Sequence, residues 1–223
     1  MGLGYSQSET DPCIFRRVVE GKVYLLVVYV DDILIISSSA EVHRLKEAFT
    51  KEFRWITLEE GTSHSYLGMQ LEFHNGSVEV EMSYYIEKVL QEYNIVKDAL
   101  LPAKKDLFSV DDQSPSLALK EAKQFHTTVA KLLYLSRRGR PDIITAVGFL
   151  CTRVKAPTEQ DSSKLLQVLG YLKRTAKQTL LLKPSKIMRV KAFIDASFST
   201  HPYGKSHTGL IVKIGGVPVF CAS

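Results

Sequence analysis

The stretch from Val23 to Ile36 constrains this chain more than any other. It reads VYLLVVYV, then Asp31-Asp32, then ILII, so an apolar run is interrupted only by two adjacent carboxylates. Val, Ile, Tyr and Leu at that density favour strands, and a short polar break between two such runs marks a hairpin turn, predicted at Asp31-Asp32. Because the strands are apolar at nearly every position, both faces are expected to be largely covered near the turn. The two acids also cut the run well short of a bilayer-spanning length, and no membrane association is expected.

The following residues alternate helix and hairpin. Val42, Leu45, Ala48, Phe49 and Phe53 recur at helical spacing and predict an amphipathic helix over 40–53. Strands over 65–74 and 77–82 flank Asn75-Gly76, a strong two-residue hairpin signal. That turn explains Asn75-Gly76-Ser77 better than the short N-glycosylation pattern it also fits, and the myristoylation pattern Met1-Gly2-Leu3-Gly4-Tyr5-Ser6 is equally short. A helix is predicted over 84–93. Residues 98–119, with Pro102, Asp111, Asp112 and Pro115 and no period, read as a long loop and as the best internal boundary. Three helices follow over 121–136, 141–154 and 157–176, the second and third opened by Pro141 and Pro157-Thr158. Strands over 179–182, 189–195, 208–214 and 217–221 close the chain, with Gly215-Gly216 as a further turn. The class is α+β.

Charge divides the chain. Between Lys120 and Lys191 there are sixteen Lys or Arg against four Asp or Glu, while the whole carries +5, so the remainder is net acidic. A basic half beside an acidic half suits a surface that meets a polyanion, though solvated helix faces rich in lysine read equally well. Cys13, Cys151 and Cys221 are odd in number and far apart, which fits neither a disulfide framework nor a zinc spacing, and no secretory leader is apparent. Reduced thiols in an intracellular protein are expected.

Adjacent carboxylates between apolar strands call for a partner, and a divalent cation is a natural one. Mg²⁺ takes carboxylate oxygens together with substrate phosphates, and two such ions can clamp a phosphoryl-transfer reaction. The plainer reading is that Asp forms turns well and faces water.

The flanking residues weigh on that choice. Tyr29-Val30-Asp31-Asp32 between apolar strands resembles the signature hairpin of reverse transcriptase palms. Tyr66-Leu67-Gly68-Met69-Gln70-Leu71-Glu72 resembles the primer-grip hairpin that follows. Leu132-Leu133-Tyr134-Leu135, Arg140-Pro141-Asp142-Ile143 and Tyr171-Leu172-Lys173-Arg174-Thr175 are similar, in order, to a run typical of copia-type retrotransposon polyproteins. Leu3-Gly4-Tyr5-Ser6-Gln7-Ser8 and Asp11-Pro12-Cys13-Ile14-Phe15 look like the segment before the catalytic hairpin. Ala192-Phe193-Ile194-Asp195-Ala196-Ser197 resembles the first strand of an attached ribonuclease H domain, with Ser206-His207-Thr208-Gly209 and Gly215-Gly216 in family positions.

This resemblance implies a partial palm over 1–97, a linker over 98–120, a helical thumb and connection over 121–178, and the beginning of a ribonuclease H-like α/β sheet over 179–223. It implies two-metal, Mg²⁺-dependent addition of deoxynucleoside triphosphates to a DNA primer on an RNA template. Asp31 is then the firm metal ligand, Asp32 a supporting one, and Asp195 the ribonuclease H ligand. Tyr29 and Val30 lie beside the primer end, and Leu67 and Gly68 grip the primer. Arg137, Arg138, Arg140, Lys173, Arg174 and Lys177 hold the backbone of the template–primer or RNA–DNA hybrid, although Arg140 and Asp142 also flank a helix start where they would fix a turn.

The family's other palm aspartate and the later ribonuclease H carboxylates have no counterpart here, so this chain alone is expected to be inactive and marginally stable, its apolar sheet edges exposed. The alternative is a decayed or domesticated remnant that binds nucleic acid or protein without catalysis. Oligomeric state is not legible in the sequence.

Overall fold

The computed structural model describes residues 2–93, 95 and 97–223, which leaves Met1, Asn94 and Val96 outside the described residues, and with Met1 the first position of the myristoylation pattern. The chain is mixed helix and antiparallel sheet and divides into two compact units, Met1–Tyr66 and Leu67–Ser223.

In the first unit a four-stranded sheet runs in the order β1 (Ser6–Gln7), β2 (Ile14–Val19), β3 (Lys22–Tyr29), β4 (Asp32–Ile36). The turn from β2 to β3 is Glu20-Gly21, with φ of +48° and +77°, the left-handed pair that matches the twist of a tight hairpin. The next turn falls one residue earlier than the sequence predicts. Tyr29 pairs with Asp32, so the loop is Val30-Asp31 and Asp32 opens β4. This register sets Val28 against Ile33 and Leu26 against Ile35, and a slip of one would turn every side chain to the other face. The expectation that both faces are covered does not hold, since Val23, Tyr29, Ile33 and Ile36 are exposed and Leu26 alone in β3 is buried.

Helix α1 (Ser39–Glu52) fits the predicted amphipathic helix and is capped by the Ser38 hydroxyl, which accepts from the Glu41 amide. Its Glu41 is buried and ties α1 to β2 and to the segment before β1, accepting from Tyr5 Oη at 2.9 Å, Arg17 Nη1 at 2.9 Å and Arg44 Nη2 at 2.6 Å. Arg44 also donates to the Leu3 carbonyl. A short strand, β5 (Ser63–Tyr66), ends the unit.

The second unit opens on a left-handed pair, Leu67-Gly68 (φ +49° and +71°), that interrupts the strand predicted over 65–74. Strand β6 (Met69–His74) turns at Asn75-Gly76 into β7 (Ser77–Glu81), as the sequence predicts. Strand β8 (Leu180–Leu182) pairs with the far side of β7, so residues around 180 belong to this sheet. Helices α2 (Ser83–Leu90), α3 (Leu119–Arg138), α4 (Ile144–Arg153) and α5 (Glu159–Arg174) enclose the main core, which includes Ile86, Phe125, Leu132, Leu135, Val147, Phe149, Leu169 and Leu172. Pro141–Ile143 forms a 3₁₀ turn ahead of α4.

The long loop over 98–118 is fastened to the start of α5. Leu117 N donates to Pro157 O, Glu159 N to Pro115 O, and Asp111 N to the Gln160 side chain. Thr158 caps α5, and the buried Asp161 returns a carboxylate oxygen to the Thr158 amide while pairing with Arg153 at 3.0 Å. The last sheet runs β11 (Val217–Ala222), β10 (His207–Ile214), β9 (Val190–Ser197), with Gly215-Gly216 as the predicted hairpin turn.

Candidate active site

The β3–β4 tip carries the two aspartates that the sequence singles out. Asp31 and Asp32 are both exposed there, at the end of an edge strand. Val30 beside them has φ +52° and is 82% exposed. A β-branched residue in the left-handed region is a steric outlier that costs on the order of 1–3 kcal/mol, and strain of this kind gathers at functional sites. No burial of the valine offsets that cost. Val30 and Asp31 form the turn itself, while the pairing of Asp32 with Tyr29 sets the second aspartate at the mouth of the hairpin.

Two hard oxygen donors on an open tip suit a Mg²⁺ ion that draws its remaining ligands from water and phosphate, and do not suit a closed zinc site. Among the described residues no three His, Cys, Asp or Glu side chains gather into a metal cage.

In the second unit the structure joins residues that the sequence assigned separately. Tyr134 Oη donates to the Leu67 carbonyl, its ring lies 5.4 Å from that of Tyr85, and the Arg138 guanidinium stacks 5.5 Å from its centroid. The Leu67-Gly68 turn and Arg138 thereby share one support, Tyr134, whose role was not foreseen. The signal available was the single tyrosine in Leu132-Leu133-Tyr134-Leu135, an amphipathic side chain on a buried helix face.

The other basic residues separate by burial. Arg137, Arg138, Arg174 and Lys177 are exposed. Lys173 is exposed but engaged, donating to Ile95 O at 3.0 Å and lying 3.4 Å from Asp98. Arg140 is 2% exposed and closed to a phosphate backbone, which corrects its assignment to the binding surface. Its Nε and Nη2 grip Asp142 at 2.9 and 2.8 Å, and Nη1 and Nη2 donate to Thr175 O and Oγ1. Burial pushes the Asp142 carboxyl up, but the Arg140 bonds and charge and the Tyr171 hydroxyl, 2.8 Å away, outweigh it and hold Asp142 below its ordinary value. Arg140 thus welds the α3–α4 turn to the C-terminus of α5.

Asp195 sits in the middle of β9, exposed, opposite Gly209. It lines a largely apolar cavity of about 650 Å³ with Phe108, Phe193, His207, Ile211 and Lys213. No helix among the described residues is long and apolar enough to cross a membrane.

Residues 1–102 match the family model described as reverse transcriptase (RNA-dependent DNA polymerase). The chain is 27% identical over 223 residues to the retrovirus-related Pol polyprotein from transposon TNT 1-94 of Nicotiana tabacum, covering 95% of this chain and 17% of that protein. The corresponding polyprotein from transposon RE1 of Arabidopsis thaliana is 26% identical, over 99% of this chain and 15% of the relative. An uncharacterized mitochondrial protein of Arabidopsis thaliana is 28% identical over 79% of this chain and 72% of its own length. The chain therefore spans under a fifth of the polyproteins it resembles, and most of the shorter protein. No solved structure matches it.

Proposed function

We propose, from the premise that this chain belongs through residues 1–102 to the reverse transcriptase family of copia-type retrotransposon Pol polyproteins, that it is part of an RNA-directed DNA polymerase whose β3–β4 tip meets the primer end. The observation that carries this reading is the strained, exposed Val30 beside Asp31 and Asp32. In the reaction the primer 3′-oxygen bonds to the α-phosphorus of a deoxynucleoside triphosphate, the bond to the pyrophosphate leaving group breaks, and the 3′-hydroxyl proton passes to solvent.

Mg²⁺, when bound, supplies charge neutralisation for the attacking and leaving oxygens. Asp31 supplies the outward carboxylate for it and Asp32 the flanking one. Tyr29 and Val30 present apolar surface on which the primer's last sugar and base rest. In the second unit, the Leu67-Gly68 turn with Tyr134 and Arg138 steadies the primer strand, and Arg137, Arg174 and Lys177 contact phosphates without reading sequence. On this reading the helices α3 to α5 serve as thumb and connection, and β9 to β11 begin a ribonuclease H-like sheet in which Asp195 is the metal ligand, facing an RNA–DNA hybrid.

The test is RNA-templated primer extension by a Pol polypeptide that contains these 223 residues. Asp31→Asn is expected to lower extension at least about a hundredfold, the scale for removing a group that stabilises transition-state charge. Unchanged extension would remove Asp31 from the site.

A second reading is a binding module without chemistry. It is favoured by the Arabidopsis mitochondrial protein, which this chain matches over 72% of its length, so that the stretch also occurs outside a long polyprotein. Salt-dependent binding of a template–primer duplex by the 223-residue chain, with no extension in any Pol context, would support it.

A further inference from the structure

The β9–β11 sheet is poorly covered. Val190, Phe193 and Ile194 on β9 are exposed, and the end of the sheet at Ser223 reaches Thr145 on α4. Two histidines stand at that end. His201 precedes the 3₁₀ turn Pro202–Gly204, and His207 opens β10. His201 Nε2 lies 2.9 Å from His207 Nδ1, with the two rings stacked 5.1 Å apart. His207 Nε2 lies 2.7 Å from Ser223 Oγ, which in turn donates to Thr145 Oγ1 on α4 at 2.9 Å.

Both rings also lie against Phe108 of the long loop, at 4.4 and 4.9 Å, and His201 reaches Phe149 of α4 at 5.9 Å. One chain of contacts therefore runs from the sheet through both imidazoles to the helical core.

We propose that the His201–His207 pair is a pH-sensitive latch, which docks the β9–β11 sheet on the helical core while at most one imidazole is protonated and releases it when both are. The reason is stereochemical. At 2.9 Å the two ring nitrogens share a single hydrogen, one donating and the other accepting. A second proton would set two N–H groups head to head between phenylalanine rings.

The surrounding charges do not relieve this. Lys205 lies in the same loop, and Lys164 of α5 sits over the Phe149 ring at 4.8 Å. Asp142, Asp195 and Lys213 border the cavity that His207 lines, with Asp142 already held by Arg140. Among the described residues neither imidazole forms an ion pair with a carboxylate. Burial, then the neighbouring His207 and Lys205, lower the His201 pKa below its ordinary 6.5. A base depressed in the docked state takes up protons on release, so docking is complete above about pH 6.5 and weakens as pH falls below it.

Hydrogen exchange on the 223-residue chain tests this. Corrected for intrinsic rates, exchange in residues 201–223 is expected to rise about tenfold between about pH 7.5 and pH 5.5, while β6 and β7 keep their protection. His201→Phe, which keeps a ring among Phe108 and Phe149, and His207→Gln, which keeps an amide toward Ser223, should each abolish the step. Persistence of the full step in both variants, or its absence in the wild type, overturns the latch. If either variant is unprotected at neutral pH, imidazole titration of the wild type by NMR decides: coupled titration of the two rings supports the latch, and two independent ordinary titrations overturn it.

Discussion

Tyr134 on α3 donates its phenolic hydroxyl to the backbone carbonyl of Leu67, 67 residues earlier in the chain. That carbonyl belongs to a leucine held at φ +49°, so one side chain on a buried helix secures a turn that the local backbone disfavours. Tyr134→Phe keeps the ring against Tyr85 and removes only the hydroxyl. Chemical denaturation should show a loss of about 1 kcal/mol, the net value of one such bond. No change at all would mean that Leu67 holds its turn unaided.

Val30 makes the opposite case, a strained residue that is almost wholly exposed. At φ +52° and 82% exposed it gives up no burial when replaced, so relief of strain decides the sign. Val30→Asn, which tolerates the left-handed region, should stabilise the first unit by about 1 kcal/mol, and Val30→Ile should leave it unchanged. Thermal unfolding of both variants checks this. Destabilisation by Asn would show that the backbone at the tip is not under strain.

Turn chemistry explains much of what was legible in advance. Asn75-Gly76 and Gly215-Gly216 announce left-handed positions through glycine, and both hairpins stand where the sequence places them. Glu20-Gly21 and Leu67-Gly68 begin with residues that rarely adopt positive φ, so the sequence carries little signal for the β2–β3 hairpin or for the break between β6 and the residues before it. At the acidic hairpin the dipeptide Asp31-Asp32 contains no glycine to index the turn. Cross-strand pairing of Val28 with Ile33 chose Val30-Asp31 instead. Helices α3 to α5 are legible because their apolar period is sustained, with Pro141 just ahead of α4 and Thr158 capping α5. The fate of each arginine was not, because burial of a guanidinium depends on partners such as Thr175, 35 residues away.

Glu41 ties acid stability to the first unit. The bonds from Arg44 are the largest influence; against the upward push of burial they act with Tyr5 and Arg17 to hold its pKa at about 2, well below the ordinary 4.5. A carboxylate depressed in the folded state contributes stability above its unfolded pKa and loses it as pH falls. The contribution should therefore be complete above about pH 4.5 and disappear between there and about pH 2. Arg44 is 38% exposed, so solvent screens part of the effect, and Glu41→Gln should cost about 1–2 kcal/mol at neutral pH. Denaturation midpoints as a function of pH should flatten in that variant across the acid range. An unchanged acid slope would assign the loss to other carboxylates.

Gly170 sets helix propensity against packing. Alanine at this helical position near the end of α5 would gain at most about 1 kcal/mol from propensity alone. A Cβ there, however, would stand 2.7 Å from the Lys97 carbonyl oxygen and 3.3 Å from the Ala99 amide, both backbone atoms that cannot swing aside. Overpacking of this kind costs about 1–3 kcal/mol, so Gly170→Ala should be net destabilising. A gain in melting temperature would show that the 97–99 segment yields freely.

Arg140 and Arg174 carry the same charge and should fail in different assays. Arg140 is buried while its partner Asp142 stays partly open to solvent, so Arg140→Ala loses the forked contact and the bonds to Thr175 and leaves a cavity, and should cost about 2–4 kcal/mol. Lysine cannot reproduce the forked contact and should recover little of that. Arg174 and Lys177 are exposed and, among the described residues, in no ion pair, so alanine there should change stability by less than about 0.5 kcal/mol. If they meet phosphate, each loss should lower the slope of log binding constant against log salt by about 0.9 on duplex. Arg140→Lys, studied where it is still folded, should leave that slope untouched, because its guanidinium never faced the solvent. A reduced slope for Arg140→Lys with an unchanged one for Arg174→Ala would reverse the assignment and place the binding surface on the α3–α4 turn.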